Sequence, residues 1–134
     1  MKKSGIFNAD IAAVVASMGH GDMISVVDLG FPIPLGMKRI DLVVSHGDPG
    51  FLEVVDMLMT ELKVEKVILA QETRENSAHI FIKLKELLSQ SDQVEFVWVT
   101  HKMLKELAYQ SRAIIRTGEV TPYANAIFVS GVIF

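Results

Sequence analysis

The sequence predicts an α/β fold: a single three-layer α/β/α domain with a mostly parallel sheet of about six strands, one of them antiparallel. Three observations predict it. Helix-period segments alternate with short apolar runs through most of the chain, the pattern of strand–helix–strand crossovers. The last two strand segments have no helix between them, and their link, Thr117–Asn125, is too long and polar for a tight hairpin. One of that pair therefore runs against the rest. Finally, 134 residues at 50% hydrophobic content suffice for one core. No repeat, linker or low-complexity segment divides residues 1–134, so one domain is expected.

Asn8 caps a helix over Ala9–Met18, where Ile11, Val14, Val15 and Met18 share one face. Gly19 sits just past its end. Ile24–Val27 reads as a short buried strand. Pro32 and Pro34 make residues 30–36 a loop. So apolar a loop packs against a neighbour or closes over a site. Arg39–Val44 is the next strand. Asp48-Pro49 then opens a helix, with Asp48 as cap and Pro49 in the first helical position. It runs to about Leu62 and buries Phe51, Val54, Val55, Leu58 and Met59. Glu65–Ala70 is a strand. Asn76 or Ser77 opens a helix through about Gln90, with Ile80, Leu84, Leu87 and Leu88 inward. Val94–Thr100 is a strand, His101–Gln110 a helix, and Ala113–Arg116 and Ala126–Phe134 are the final strands.

Composition narrows the function. A net charge of −3 and a pI near 5.8 give no basic surface for nucleic acid. Without cysteine, thiolate catalysis and disulfides are excluded. The N-terminal residues lack the apolar run of a signal peptide. No stretch reaches the ~20 apolar residues of a membrane span, and the expected location is the cytoplasm. Mean hydropathy of +0.35 is high for a small domain, and surplus apolar surface commonly goes into subunit contacts. A homo-oligomer is expected.

The stretch Met18–Asp28 carries the first chemical signal. His20 stands between Gly19 and Gly21, which strip away neighbouring side chains and expose the imidazole. In an open parallel sheet ligands gather beyond the carboxyl ends of the strands. Asp28, Ser45, His46, Gln71, Glu72 and His101 all follow predicted strands, and Tyr123 and Asn125 precede the last one. His20 lies outside that pattern, and topology does not decide whether it joins the same site. Plainer roles compete: His101 as a helix opener, Tyr123 and Asn125 as turn residues after Pro122, Asp28 as a strand-end aspartate. His46 and His79 read as surface residues. Lys105, one helical turn after His101, can share its face, although a solvated lysine is the ordinary reading. No dinucleotide, phosphate-loop or hydrolase motif is present. His20-x-Asp22 and His46-x-Asp48 lack zinc-site spacing, so no metal is assigned. What remains is a set of acid–base and hydrogen-bonding groups without an activated nucleophile, suited to proton transfer on a polyhydroxyl ligand.

These residues fall into a familiar arrangement. Asn8-x-x-Ile11, Gly19-His20-x-Asp22, Asp28-x-Gly30-Phe31-Pro32-Ile33-Pro34 and Arg39-Ile40-Asp41-Leu42 are followed by Ile115-Arg116-Thr117-Gly118-Glu119 and Thr121-Pro122-Tyr123-Ala124-Asn125. Together they resemble the D-ribose pyranase family over nearly the full chain. The Gly-His-Gly-Asp form is shared with the related fucose mutarotases, whereas the Phe31–Pro34 and Tyr123–Asn125 segments favour the pyranases. The resemblance implies interconversion of the β-pyranose and β-furanose forms of D-ribose without a cofactor, supplying the form a ribokinase uses. It implies a ring-shaped homo-oligomer, a decamer, with sites between subunits. His20 matches the family's proton donor. Asp28, His101, Tyr123, Ala124 and Asn125 match its sugar-binding positions. Asp28 either orients the His20 imidazole or binds a sugar hydroxyl. Two alternatives are a fucose-type mutarotase and a non-catalytic sugar-binding module. A purely structural oligomer would bind no monosaccharide.

Overall fold

The alternation of apolar runs and helical periods becomes a single sheet in the computed structural model, which describes residues 1–91 and 93–134. The strands are β1 (Met23–Val27), β2 (Arg39–Asp41), β3 (Val64–Ala70), β4 (Glu95–Val99), β5 (Ile114–Arg116) and β6 (Ala126–Ser130). They lie side by side in the order β2-β5-β1-β6-β3-β4. β6 is antiparallel to both β1 and β3, and the remaining neighbours pair in parallel. The expected antiparallel strand is thus the last one, at the centre of the sheet.

Helices α1 (Ala9–Ser17), α2 (Phe51–Met59) and α4 (Ala78–Leu88) cover one face. Ile11, Val14, Phe51, Val55, Leu58, Ile80 and Leu84 enter the larger core there, around Ile24, Val67 and Phe128. Helix α5 (His101–Ala108) covers the other face with Leu104 and Ala108, joined by Phe31 from the proline loop. Phe31 is buried, while Leu35 at the loop tip is fully exposed. The loop is tied to α5 by the Tyr109 hydroxyl, which donates to the Pro32 carbonyl at 3.1 Å. No helix among the described residues is long and apolar enough to cross a membrane.

Several boundaries differ from expectation. α1 ends one residue early, because Met18 is extended at φ −73°, ψ 133°. β2 stops at Asp41, whose carboxylate accepts from Val43 N and Arg116 and starts the turn away. β6 stops at Ser130 because its neighbours β1 and β3 have run out, leaving Ile133 and Phe134 exposed. A short helix, α3 (Gln71–Asn76), fills what the sequence left as a connection. Ser77 precedes α4 but makes no side-chain cap bond; its hydroxyl donates instead to the Pro122 carbonyl at 2.6 Å.

The largest correction concerns Asp48-Pro49. Asp48 does not cap α2. Its backbone N–H donates to Ser45 O, and its carbonyl accepts from Val44 and Ser45, which holds it in a turn outside the helix. The Asp48–Pro49 bond is cis. Gly50 occupies the cap position without a side chain to offer, and Glu119 supplies the missing acceptor from 68 residues away: Phe51 N donates to its Oε2 at 3.1 Å. The other Glu119 oxygen accepts from Val120 and Thr121 N–H groups. These bonds hold its carboxyl below the usual range, although its burial pushes the other way as the largest single influence.

Gly118 seals this junction. A methyl group there would lie 2.5 Å from the Asp48 carbonyl oxygen and 2.6 Å from its nitrogen, both backbone atoms that cannot swing aside. Gly118→Ala is expected to destabilise the protein by about 1–3 kcal/mol, the usual cost of overpacking. Urea denaturation of the two proteins checks this; an unchanged midpoint would show that the junction yields freely.

Candidate active site

Chain direction decides where the polar groups gather. β1, β3 and β4 end, and antiparallel β6 begins, along one edge of the sheet. Asp28 follows β1, Glu72 follows β3, His101 follows β4, and Tyr123–Asn125 lead into β6. These residues, far apart in sequence, therefore meet at one edge.

Asp28 and Asn125 are locked together. The Asn125 amide nitrogen donates to Asp28 Oδ2 at 2.9 Å, and its oxygen accepts from Asp28 N at 2.8 Å. Gly30 N donates to Asp28 Oδ1 at 3.0 Å. Asn125 is buried, so this two-point bond fixes the carboxylate rigidly. Partial burial pushes the Asp28 carboxyl above its ordinary pKa, against the bonds from Asn125 and Gly30.

His101 is placed by the start of α5. Thr100 caps the helix, accepting from Met103 N at 3.1 Å, and His101 N donates to Glu72 Oε2 at 2.9 Å. The ring stands edge-on to Tyr123 at 5.1 Å and to Phe31 at 6.2 Å between centroids. Its Nδ1 is buried without a hydrogen-bond partner among the described residues. Burial and the Lys105 cation depress its pKa below the ordinary 6.5, with Glu72 and Asp28 opposing. His101 is therefore neutral at physiological pH, fit to hydrogen-bond a hydroxyl but poorly suited to supply a proton.

Tyr123 has φ +62° and is the one non-glycine residue in left-handed backbone among those described. Such a conformation costs on the order of 1–3 kcal/mol and persists where its surroundings impose it. Here Thr73 Oγ1 donates to the Tyr123 carbonyl at 2.8 Å, Asn125 N donates to the same oxygen, and Ser77 holds Pro122. Nothing in the sequence marks Thr73 and Ser77 for this role beyond two hydroxyls after a strand. Ala124 is fully buried in the larger core, and its backbone N–H donates to Thr121 O at 3.3 Å. Beside Asp28 lies an open hollow of about 410 Å³ that includes Gly30, His46, Glu119 and Thr121 in its walls.

His20 lies elsewhere. It precedes β1, whereas Asp28 follows it, and a five-residue strand separates them by roughly 17 Å at ~3.3 Å per residue. Within one chain Asp28 cannot orient the His20 imidazole. The histidine turn is instead fastened to the end of β6: Gly21 N donates to Ser130 O and Ser130 N to Asp22 O, both at 2.8 Å. Gly21 takes φ +83° there. Asp22 accepts from Gly19 N at 2.8 Å and pairs with Arg112 at 3.0 Å, contacts that hold its carboxyl below the usual range. The imidazole leans over the sheet end to Glu65, with Nε2 2.9 Å from Oε2. It borders a hollow of about 460 Å³ between α1 and the C-terminal residues.

Comparison with known proteins places this chain among close relatives. The model of the RbsD / FucU transport protein family matches residues 1–133. A D-ribose pyranase of Thermotoga neapolitana is 51% identical over 135 residues, covering all of both chains. The structure of Bacillus subtilis RbsD complexed with D-ribose superposes with a TM-score of 0.93 at 40% identity, again over the full length of both. A fucose mutarotase from Streptococcus pneumoniae, solved with L-fucose, shares the fold with a TM-score of 0.79 at 18% identity, over 95% of this chain and 94% of that one.

Proposed function

The chain belongs to the RbsD/FucU family, and from that premise we propose that it is a D-ribose pyranase, a cofactor-free isomerase that interconverts the β-pyranose and β-furanose forms of D-ribose. The observation that carries this is full-length identity of about half to proteins of that activity. The fixed Asp28–Asn125 pair beside His101 and Tyr123 supplies hydrogen-bonding groups of the kind a pentose needs.

The reaction needs two proton movements. The ring oxygen gains a proton as its bond to the anomeric carbon breaks, and the anomeric hydroxyl loses one as the aldehyde forms. The open chain then rotates and closes through a different hydroxyl. No electrons move and no carbon–carbon bond breaks. Protonated His20 gives the proton to the ring oxygen. Asp28, Asn125, Tyr123 and neutral His101 hold the sugar, with buried Ala124 spacing Tyr123 from Asn125 and His101 or Tyr123 relaying the second proton. General acid–base help is worth ~10²–10⁴-fold, enough for a reaction that already proceeds in water.

Because His20 and the Asp28 cluster occupy opposite ends of β1, the acting site is composed of two copies. One contributes His20 and its neighbour contributes Asp28, His101, Tyr123 and Asn125. A ring of copies, a decamer, repeats that contact around a closed circle. The enzyme works in the cytoplasm.

A second reading, a fucose-type mutarotase, is favoured by the Gly19-His20-Gly21-Asp22 form that this chain shares with the fucose mutarotases. Saturation-transfer NMR on D-ribose and L-fucose separates them. The pyranase reading predicts accelerated pyranose–furanose exchange in ribose well above any effect on fucose. The reverse preference would contradict it, and ribose binding with unaltered exchange would make the protein a binding module.

A further inference from the structure

The mechanism gives His20 a proton to deliver but leaves open which ring nitrogen delivers it and what holds the ring. We propose that Glu65 is a positioning residue for His20: it engages Nε2, so that Nδ1 is the nitrogen that exchanges the proton with the sugar. This rests on the pyranase reading above.

Three independent features of the fold converge on Glu65. Its Oε2 lies 2.9 Å from His20 Nε2, while among the described residues His20 Nδ1 takes no hydrogen bond. The second is an irregularity in β3. Val64 pairs with Ser130 and Lys66 with Val129, so Glu65 is an extra residue in one strand. Such a bulge re-aims a side chain, and here it occurs where the His20 turn joins β6. The third is the residue opposite. A methyl group on Gly131 would stand 3.1 Å from Glu65 Cβ and 3.4 Å from the same Oε2 that meets His20. Gly131 leaves room for the carboxylate to lie as it does. Stability does not explain the arrangement, because the His20 and Glu65 side chains are 59% and 41% exposed, and an ion pair so exposed adds little.

The chemistry follows from the tautomers. Protonated His20 carries a hydrogen on each nitrogen. When Nδ1–H passes its proton to the ring oxygen, the neutral imidazole keeps Nε2–H, and this remains hydrogen-bonded to Glu65. The carboxylate thus holds one tautomer and one ring orientation through the cycle, and does not itself become protonated. The reverse closure returns a proton to Nδ1.

Ring nitrogens can be read directly in ¹⁵N spectra of sedimented, histidine-labelled protein, with His20 assigned by its loss in His20→Asn. At a pH where the imidazole is neutral, the wild type is expected to show protonated Nε2 and bare Nδ1. Glu65→Ala is expected to mix the tautomers and lower the maximal exchange rate roughly 10- to 100-fold, with half-saturation by ribose changed less than about two-fold. Glu65→Gln, which keeps an acceptor, should preserve the tautomer and recover part of the rate. Gly131→Ala, which alters no polar group, should lower the rate about three-fold by displacing the carboxylate. A bare Nε2 in the wild type, or an unchanged rate in Glu65→Ala, overturns the assignment. The two proposals fail separately: wild-type protein that accelerates no sugar exchange rejects the pyranase reading, whereas active wild type with equally active Glu65→Ala rejects only the role of Glu65.

Discussion

Replacing His20 with alanine is expected to reduce ribose pyranose–furanose exchange to the rate seen in buffer, a loss of about 10²–10⁴-fold, while leaving the fold intact. His101 and Asp28, at the other end of β1, do not replace it. His101 has its pKa depressed by burial and by Lys105 and is neutral at working pH. Asp28 is anchored by Asn125 and Gly30 as an acceptor. The fold tolerates the change because the His20 side chain is largely exposed, and its turn is fastened through backbone bonds from Gly21 and Ser130. Losing the contact to Glu65 costs at most about 1 kcal/mol, as for other exposed pairs. Saturation-transfer NMR gives the rate, and thermal unfolding verifies the fold. Full exchange in a folded His20→Ala protein would reject the assigned acid.

The sequence carries local instructions well and distant ones poorly. Asn8 accepting from Ile11 N is a contact over three residues, and helix periodicity places Ile80, Leu84 and Leu88 in the core, with Leu87 half-buried against it. Alternation of strands and helices sufficed to gather Asp28, His101, Tyr123 and Asn125, because a parallel sheet delivers all its strand ends to one edge. Failures occurred where a partner comes from far along the chain. Asp48 looks like a cap until Glu119 arrives to serve Phe51. Glu65 looks like a solvated charge at a strand start until the bulge turns it toward His20. Thr73 and Ser77 look ordinary until Tyr123 and Pro122 need holding. The positive φ of Tyr123 is legible in no local pattern, since it is imposed by those distant bonds. Whether His20 joins the strand-end groups stays open in the sequence, whereas the structure sets His20 and Asp28 at opposite ends of β1, so the proposed acid and the proposed sugar-holding groups of one chain lie apart.

That separation is the basis of the second large effect. If each site takes His20 from one copy and the Asp28 cluster from another, two inactive variants should repair each other. His20→Ala lacks the acid in every copy. A double variant, Asp28→Asn with His101→Ala, lacks sugar-holding groups in every copy and keeps His20. Neither alone should accelerate exchange appreciably. In oligomers reassembled from an equal mixture, each junction has an even chance of receiving an intact half from either side, so about one quarter of the sites are whole. Saturation-transfer NMR on D-ribose should then show about one quarter of the wild-type acceleration in the mixed oligomer. Exchange that stays at the level of the two separate variants, in oligomers shown by mass to contain both, would contradict a site shared between copies.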